Sequence, residues 1–256
     1  MPNSTIELTT PDGSCTTEVY APDGKGPWPA VIVFFDAGGL RPAMSEICAR
    51  IAQLGYLTFQ PDLYFRSPPM ASLAPELFKQ WGGWLQVFKD PEMRAKFGSE
   101  YYGKAIDYDK LKMTVGALLD AIEARSDVRG GVGTTGYCMG GNCSFRAATL
   151  FPGRIAATAC FHAGGLVTPQ PDSPHLRAGQ IKSAVYVAGA TEDASFSDDA
   201  KAQLDAALSA AGVSHELETY PAKHGYAVRD HDVFDESAAQ RHYAAMARFY
   251  GAHLGK

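Results

Sequence analysis

Gly136-Tyr137-Cys138-Met139-Gly140 is the stretch whose reading decides the fold. Gly130-Gly131-Val132-Gly133-Thr134-Thr135 leads into it and Gly141-Asn142-Cys143-Ser144-Phe145-Arg146 follows, which reads as strand, sharp turn, helix. The pattern is G-x-C-x-G, with a cysteine at the tip of the turn. Residues two before and two after the tip must be small, because side chains there would collide with the neighbouring strand and helix. The turn lifts Cys138 clear of the sheet and aims the first amides of the next helix at whatever the sulfur attacks. A helix N-terminus also favours a thiolate. A three-position motif arises by chance too, and most free cysteines are inert core residues, so the rest of the chain must carry the weight.

The chain has 256 residues, 46% hydrophobic and 20% charged, an ordinary composition for a globular protein with enough length for a large core. Its net charge of −5 comes without a basic block, which argues against nucleic acid. No apolar run has the length of a membrane span, and the first residues lack the basic and apolar regions of a signal peptide. Cys15, Cys48, Cys138, Cys143 and Cys160 are scattered without metal-ligand or disulfide spacing, which points to a reducing, cytoplasmic setting. The expectation is a monomer that needs neither a metal nor an organic cofactor.

Ile6–Thr9 and Thr16–Tyr20 alternate around Pro11-Asp12-Gly13, the pattern of an edge hairpin. Trp28–Phe35 and Tyr56–Gln60 are apolar runs, as expected for strands buried on both faces, with a helix between them over Pro42–Leu54. A helix over Tyr108–Arg125 precedes the strand that leads into the elbow, the sharp turn at Cys138. Strands over Ile155–Phe161, Ser183–Gly189 and Ser214–Tyr220 follow it, with helices over Phe196–Ala211 and Ser237–His253. This alternation predicts one α/β domain over residues 1–256, a mostly parallel twisted sheet with helices on both faces. Residues 65–108 are irregular and aromatic-rich, with Phe78, Trp81, Trp84, Phe88, Phe97, Tyr101, Tyr102 and Tyr108. Most of these read as core anchors, and some as the wall of a pocket or a lid.

In such a sheet, ligands bind beyond the carboxyl ends of the strands. Cys138, then Asp193 or Glu192, then His224 each follow a strand, and nucleophile, acid, histidine is the chain order of α/β-hydrolases. His162 also follows a strand and is the main rival of His224 as base. His224 is favoured because Gly225 follows it in a loop after the last strand.

At these residues the chain resembles the dienelactone hydrolases, or carboxymethylenebutenolidases, of the α/β-hydrolase fold. The resemblance rests on Gly-Tyr-Cys-Met-Gly-Gly at 136–141, Pro61-Asp62-Leu63-Tyr64 and His224-Gly225-Tyr226, and runs over nearly the whole chain. It implies Cys138 as nucleophile, Asp193 as acid and His224 as base, with a small ester or lactone, in some enzymes anionic, as substrate. The family has a glutamate where this chain has Asp36, and its dienelactone enzymes clamp a substrate carboxylate with arginines. Arg229 matches one of these, and Arg66 or Arg94 is a candidate for the other. Tyr137 is a further candidate for substrate contact.

The chemistry so implied is attack by the Cys138 thiolate on a carbonyl, with the oxyanion on the amides of Met139 and Ala37. Because thiolate is itself a good leaving group, only an activated ester or enol lactone collapses forward to the thioester. Asp36 would keep the resting thiol protonated by like-charge repulsion. The alternatives are a broad esterase for small activated esters and a non-catalytic redox or ligand-binding protein that uses Cys138 as a sensor thiol.

Overall fold

In the computed structural model, which describes residues 4–255, eight strands form a single sheet in the order β1-β2-β4-β3-β5-β6-β7-β8. The edge hairpin is β1 (Ser4–Thr10) and β2 (Gly13–Tyr20). It docks antiparallel onto β4 (Leu57–Pro61). From there β4, β3 (Trp28–Phe34), β5 (Val128–Tyr137), β6 (Ile155–Phe161), β7 (Ala184–Glu192) and β8 (His215–Lys223) all run parallel.

The longer helices are α1 (Pro42–Gln53), α5 (Tyr108–Glu123), α6 (Met139–Leu150), α7 (Asp198–Ala210) and α8 (Glu236–His253). Short helices α2 (Pro75–Phe78), α3 (Pro91–Phe97) and α4 (Gly103–Ile106) lie in the aromatic-rich segment. Asp107, Ser197 and Asp235 cap α5, α7 and α8 by accepting from their first free amides, which are otherwise without partners. No helix among the described residues is long and apolar enough to cross a membrane.

The period-2 alternation of β5 sorts the helices onto two faces. Thr134 Oγ1 accepts from Ser144 Oγ of α6 at 2.9 Å, so even positions face α6. Tyr137 Oη lies 3.1 Å from His242 Nε2 of α8, so odd positions face α8. On the α6 side, Leu204 and Leu208 of α7 share a buried cluster with Phe145 and Val185. On the other, Arg50 of α1 donates to Gln240 of α8. This is the mostly parallel sheet, with helices on both faces, that the alternation of elements predicts.

Two strands outrun their predicted ends. β7 and β8 continue to Glu192 and Lys223, which pair with each other beyond a register shift. Pro221 is tolerated inside β8 because β8 is the edge strand and one side of its ladder is free. In the aromatic segment, Phe97 and Tyr101 pack edge-on against Tyr64 in the core, while Trp81 is 60% exposed.

The turn from β5 into α6 is tight enough to hold Cys138 at φ 53° and ψ −115°, a region that L-residues rarely occupy. A Cβ at Gly136 would stand 1.9 Å from the Gly140 carbonyl oxygen, and one at Gly140 would stand 2.1 Å from that of Phe34. These obstacles are backbone atoms and cannot swing aside. Gly136→Ala should therefore cost about 3 kcal/mol of folding stability, read as a lowered midpoint in chemical denaturation.

Candidate active site

β3 is the point where the sheet order reverses, since the chain goes from β3 to β4 on one side and returns to β5 on the other. Crevices open at such points beyond the strand ends. Cys138 and His224 line one cavity there, of about 320 Å³, together with Asp36 and Ala37. Trp84, Leu85, Phe88 and Val233 make its apolar wall, and His231 and Asp232 complete it.

Asp193 follows the last residue of β7, and its Oδ2 accepts from His224 Nδ1 at 2.8 Å. The Asp193 side chain is only 1% exposed, whereas the Glu192 side chain is 68% exposed and turned to Lys223. Successive residues at a strand end point to opposite sides, so only one of the two can reach His224. With Nδ1 taken by Asp193, the other ring nitrogen is left for the cavity that His224 shares with Cys138. Burial opposes a charge on His224, but the Cys138 charge and the Asp193 carboxylate outweigh it and push the imidazole up to about 10. Burial likewise opposes a charge on Asp193, and its bond to His224 still lowers it.

His162 holds a different position. It is fully buried with φ 37°, and neither ring nitrogen has a partner among the described residues. Its ring packs edge-on against His224, with centroids 5.2 Å apart, and it does not line the cavity.

Met139 is the first residue of α6, so its amide has no acceptor within the helix. Ala37 lines the cavity. The buried Tyr64 links the two, as its hydroxyl donates to the Ala37 carbonyl at 3.1 Å and lies 3.4 Å from Met139 Sδ.

Three residues expected at the site, Arg229, Arg66 and Tyr137, lie away from the cavity, and Asp36 lines it in a different electrostatic state. Asp36 is buried beside the cavity, but it is not a bare negative charge. Arg41 Nη1 and Nη2 donate to its two oxygens at 2.5 and 2.9 Å, and His231 Nε2 lies 2.9 Å from Oδ2. Burial would raise this carboxyl, yet Arg41 and His231 hold it well below the usual carboxylate range. Like-charge repulsion on Cys138 is thereby largely cancelled. Arg229 is 63% exposed beside Glu46, outside the cavity. Arg66 is spent on Asp12, Thr114 and the Lys110 carbonyl. Tyr137 points into the α8 face and bonds His242, because the residue before the turn alternates away from it.

Several contributors are absent from the expected set. Ser195 donates from Oγ and from its amide to Asp193 Oδ1, at 2.6 and 2.9 Å, which leaves Oδ2 for His224. An acid followed two positions later by serine is a common turn signal that could have marked it. Arg41 also binds Asp230, through Nε at 2.6 Å and Nη2 at 2.8 Å, and Trp84 Nε1 donates to Asp230 at 2.8 Å. No local pattern announces a partner 189 residues away.

Two outcomes follow from this geometry. Asp36→Asn should cost about 3 kcal/mol of stability, because it leaves Arg41 buried and half-paired. In the parent, the depressed Asp36 carboxyl contributes stability above the ordinary aspartate value of about 3.9 and loses it as pH falls further, so the variant should show a flatter acid limb in denaturation measured against pH. Ser195→Ala should lower kcat on an ester substrate roughly three- to tenfold with little change in KM, the value of one hydrogen bond that orients Asp193.

Comparison with known proteins agrees with this architecture. The sequence model of the Dienelactone hydrolase family matches residues 16–254. A protein of Aquifex aeolicus named "Putative carboxymethylenebutenolidase" is 24% identical over 241 residues, covering 92% of this chain and 93% of its own. A crystal structure titled "Putative Dienelactone Hydrolase" from Klebsiella pneumoniae superposes with a TM-score of 0.77 at 21% identity, covering 97% of this chain and 99% of that one. The dienelactone hydrolase of Anabaena variabilis superposes with a TM-score of 0.66 at 15% identity, covering 98% and 97%. With the family match spanning both the elbow and the histidine loop, the chain belongs to the dienelactone hydrolase family, hydrolases of ester and lactone bonds built on the α/β-hydrolase fold.

Proposed function

We propose that this protein hydrolyses activated esters or enol lactones through a thioester on Cys138, with His224 as acid and base and Asp193 as the group that orients it. The observation that carries this reading is that Cys138, at a strained turn, and His224, held by Asp193 at 2.8 Å, line the same cavity.

The Cys138 thiolate adds to the carbonyl carbon, and the carbonyl electron pair moves onto oxygen, facing the amides of Met139 and Ala37. The pair returns, the C–O bond breaks, and the leaving oxygen takes a proton from the His224 imidazolium. His224, now neutral, takes a proton from water as that water adds to the thioester. Collapse releases the carboxylic acid and restores thiolate and imidazolium. Because the thiolate leaves more readily than an alkoxide, forward collapse needs a stabilised leaving group such as an enolate or a nitrophenolate. The sulfur therefore favours activated substrates over amides and plain alkyl esters.

The sensor reading has less support. Cys15, Cys48, Cys143 and Cys160 are all buried, and burial pushes Cys143 up to about 12. None is placed as a resolving thiol for Cys138.

Hydrolysis of p-nitrophenyl acetate should fall at least about 1,000-fold in Cys138→Ala. Acid quench of the wild type during turnover should show a protein mass raised by one acetyl group, located on Cys138. Activity retained in the variant would overturn the reading.

A further inference from the structure

We infer that the cavity at Cys138 takes a neutral ester or lactone with an apolar acyl group, and disfavours a substrate that carries a carboxylate. The inference rests on the reading of Cys138 as a hydrolytic nucleophile and concerns only what that nucleophile is offered.

An anionic substrate needs a cation with a free donor, and Arg41, the guanidinium bound to Asp36 at the cavity, has none to give. A guanidinium has five N–H donors. Those of Arg41 all have partners within the protein: Nε and one Nη2 hydrogen go to Asp230, the other Nη2 hydrogen and one Nη1 hydrogen go to Asp36, and the second Nη1 hydrogen goes to the Gly39 carbonyl. His231 has one of its two ring nitrogens engaged, with Nε2 on Asp36. His224 already has its Nδ1 on the Asp193 carboxylate. Among the described residues no lysine or arginine lines the cavity.

The free charge at the cavity is negative. Asp36 and Asp230 are offset by Arg41 and His231 in the buried network, and Asp232, exposed at the cavity and without an ion pair among the described residues, is the charge left over. A substrate carboxylate placed here would lose its hydration and meet like charge, and both effects disfavour it.

The apolar wall points the same way. Trp84 is pinned by Asp230 at its Nε1 and lies against Arg41, 4.4 Å from guanidinium carbon to ring centroid. Phe88 packs edge-on against it. The wall is thus held in place and rewards burial of hydrocarbon. A cavity of about 320 Å³ is at the small end for ligand sites and suits a short acyl chain.

A matched pair of substrates tests this directly. Mono-p-nitrophenyl adipate and its methyl ester share a leaving group and a skeleton and differ in one charge, and the six-carbon chain is too long for fast attack of the carboxylate on its own ester; rates are taken above the Cys138→Ala background. For the wild-type chain at pH 7, kcat/KM for the methyl ester should exceed that for the acid by about tenfold or more, and Asp232→Lys should narrow the ratio. Equal rates, or faster hydrolysis of the acid, would overturn the inference and leave the hydrolase reading intact. Hydrolysis of neither ester above the Cys138→Ala background would overturn the hydrolase reading, and the inference with it.

Discussion

The turn between β5 and α6 closes on bare backbone. Gly136 faces the Gly140 carbonyl and Gly140 faces that of Phe34, at distances that leave no room for a side chain. Everything at the candidate site hangs on this approach. It forces Cys138 into a left-handed conformation and places the start of α6, with its free amide, next to the sulfur. It also brings α6 down onto β3, whose own end supplies Asp36 and Ala37. The strain at Cys138 persists because the surrounding ladder and helix over-determine it: the Cys138 amide donates to Phe161 and its carbonyl accepts from Gly141.

A second constraint fixes the cavity wall. Asp36 and Arg41 come from the loop after β3, Trp84 from the aromatic segment, and Asp230 and His231 from the loop after β8. The Arg41 guanidinium joins all three segments. Its side chain is 9% exposed, and those of Asp36 and Asp230 are 1% and 4%. Removing three charges from water is costly, so such a network contributes little net stability compared with an apolar packing of the same shape. What it supplies is geometry. Trp84 can form one wall only because Asp230 holds its Nε1. The aromatic-rich segment thus divides its labour: Phe97 and Tyr101 fill the core, while Trp84, Leu85 and Phe88 face the cavity.

Sulfur chemistry and cavity chemistry are complementary. A thiolate selects for substrates whose leaving group is stabilised, and this selection acts at the scissile bond. On the reading proposed here, the wall and the saturated arginine act on the remainder of the substrate, where they reward hydrocarbon and leave a carboxylate without a guanidinium to bind. The first filter comes from one atom. The second comes from segments that meet only in the folded chain.

The sequence by itself determined the elements, their order and the elbow, because these depend on near neighbours. Apolar runs, helical periodicity, glycines at the turn and the succession Cys138, Asp193, His224 are all local signals, and a parallel sheet carries each of those residues to the same edge. Strand alternation resolves Asp193 from Glu192 once the end of β7 is known to lie at Glu192, three residues beyond its predicted end. Only the tertiary structure decided where the charges went. Arg229 and Arg66 carry the right charge, yet one is turned toward solvent and the other is engaged by Asp12. Asp36 has the right position, yet its charge is taken up by Arg41 and His231. A side chain's direction and the partner that neutralises it are set by contacts between segments far apart in the chain, and no local pattern encodes them.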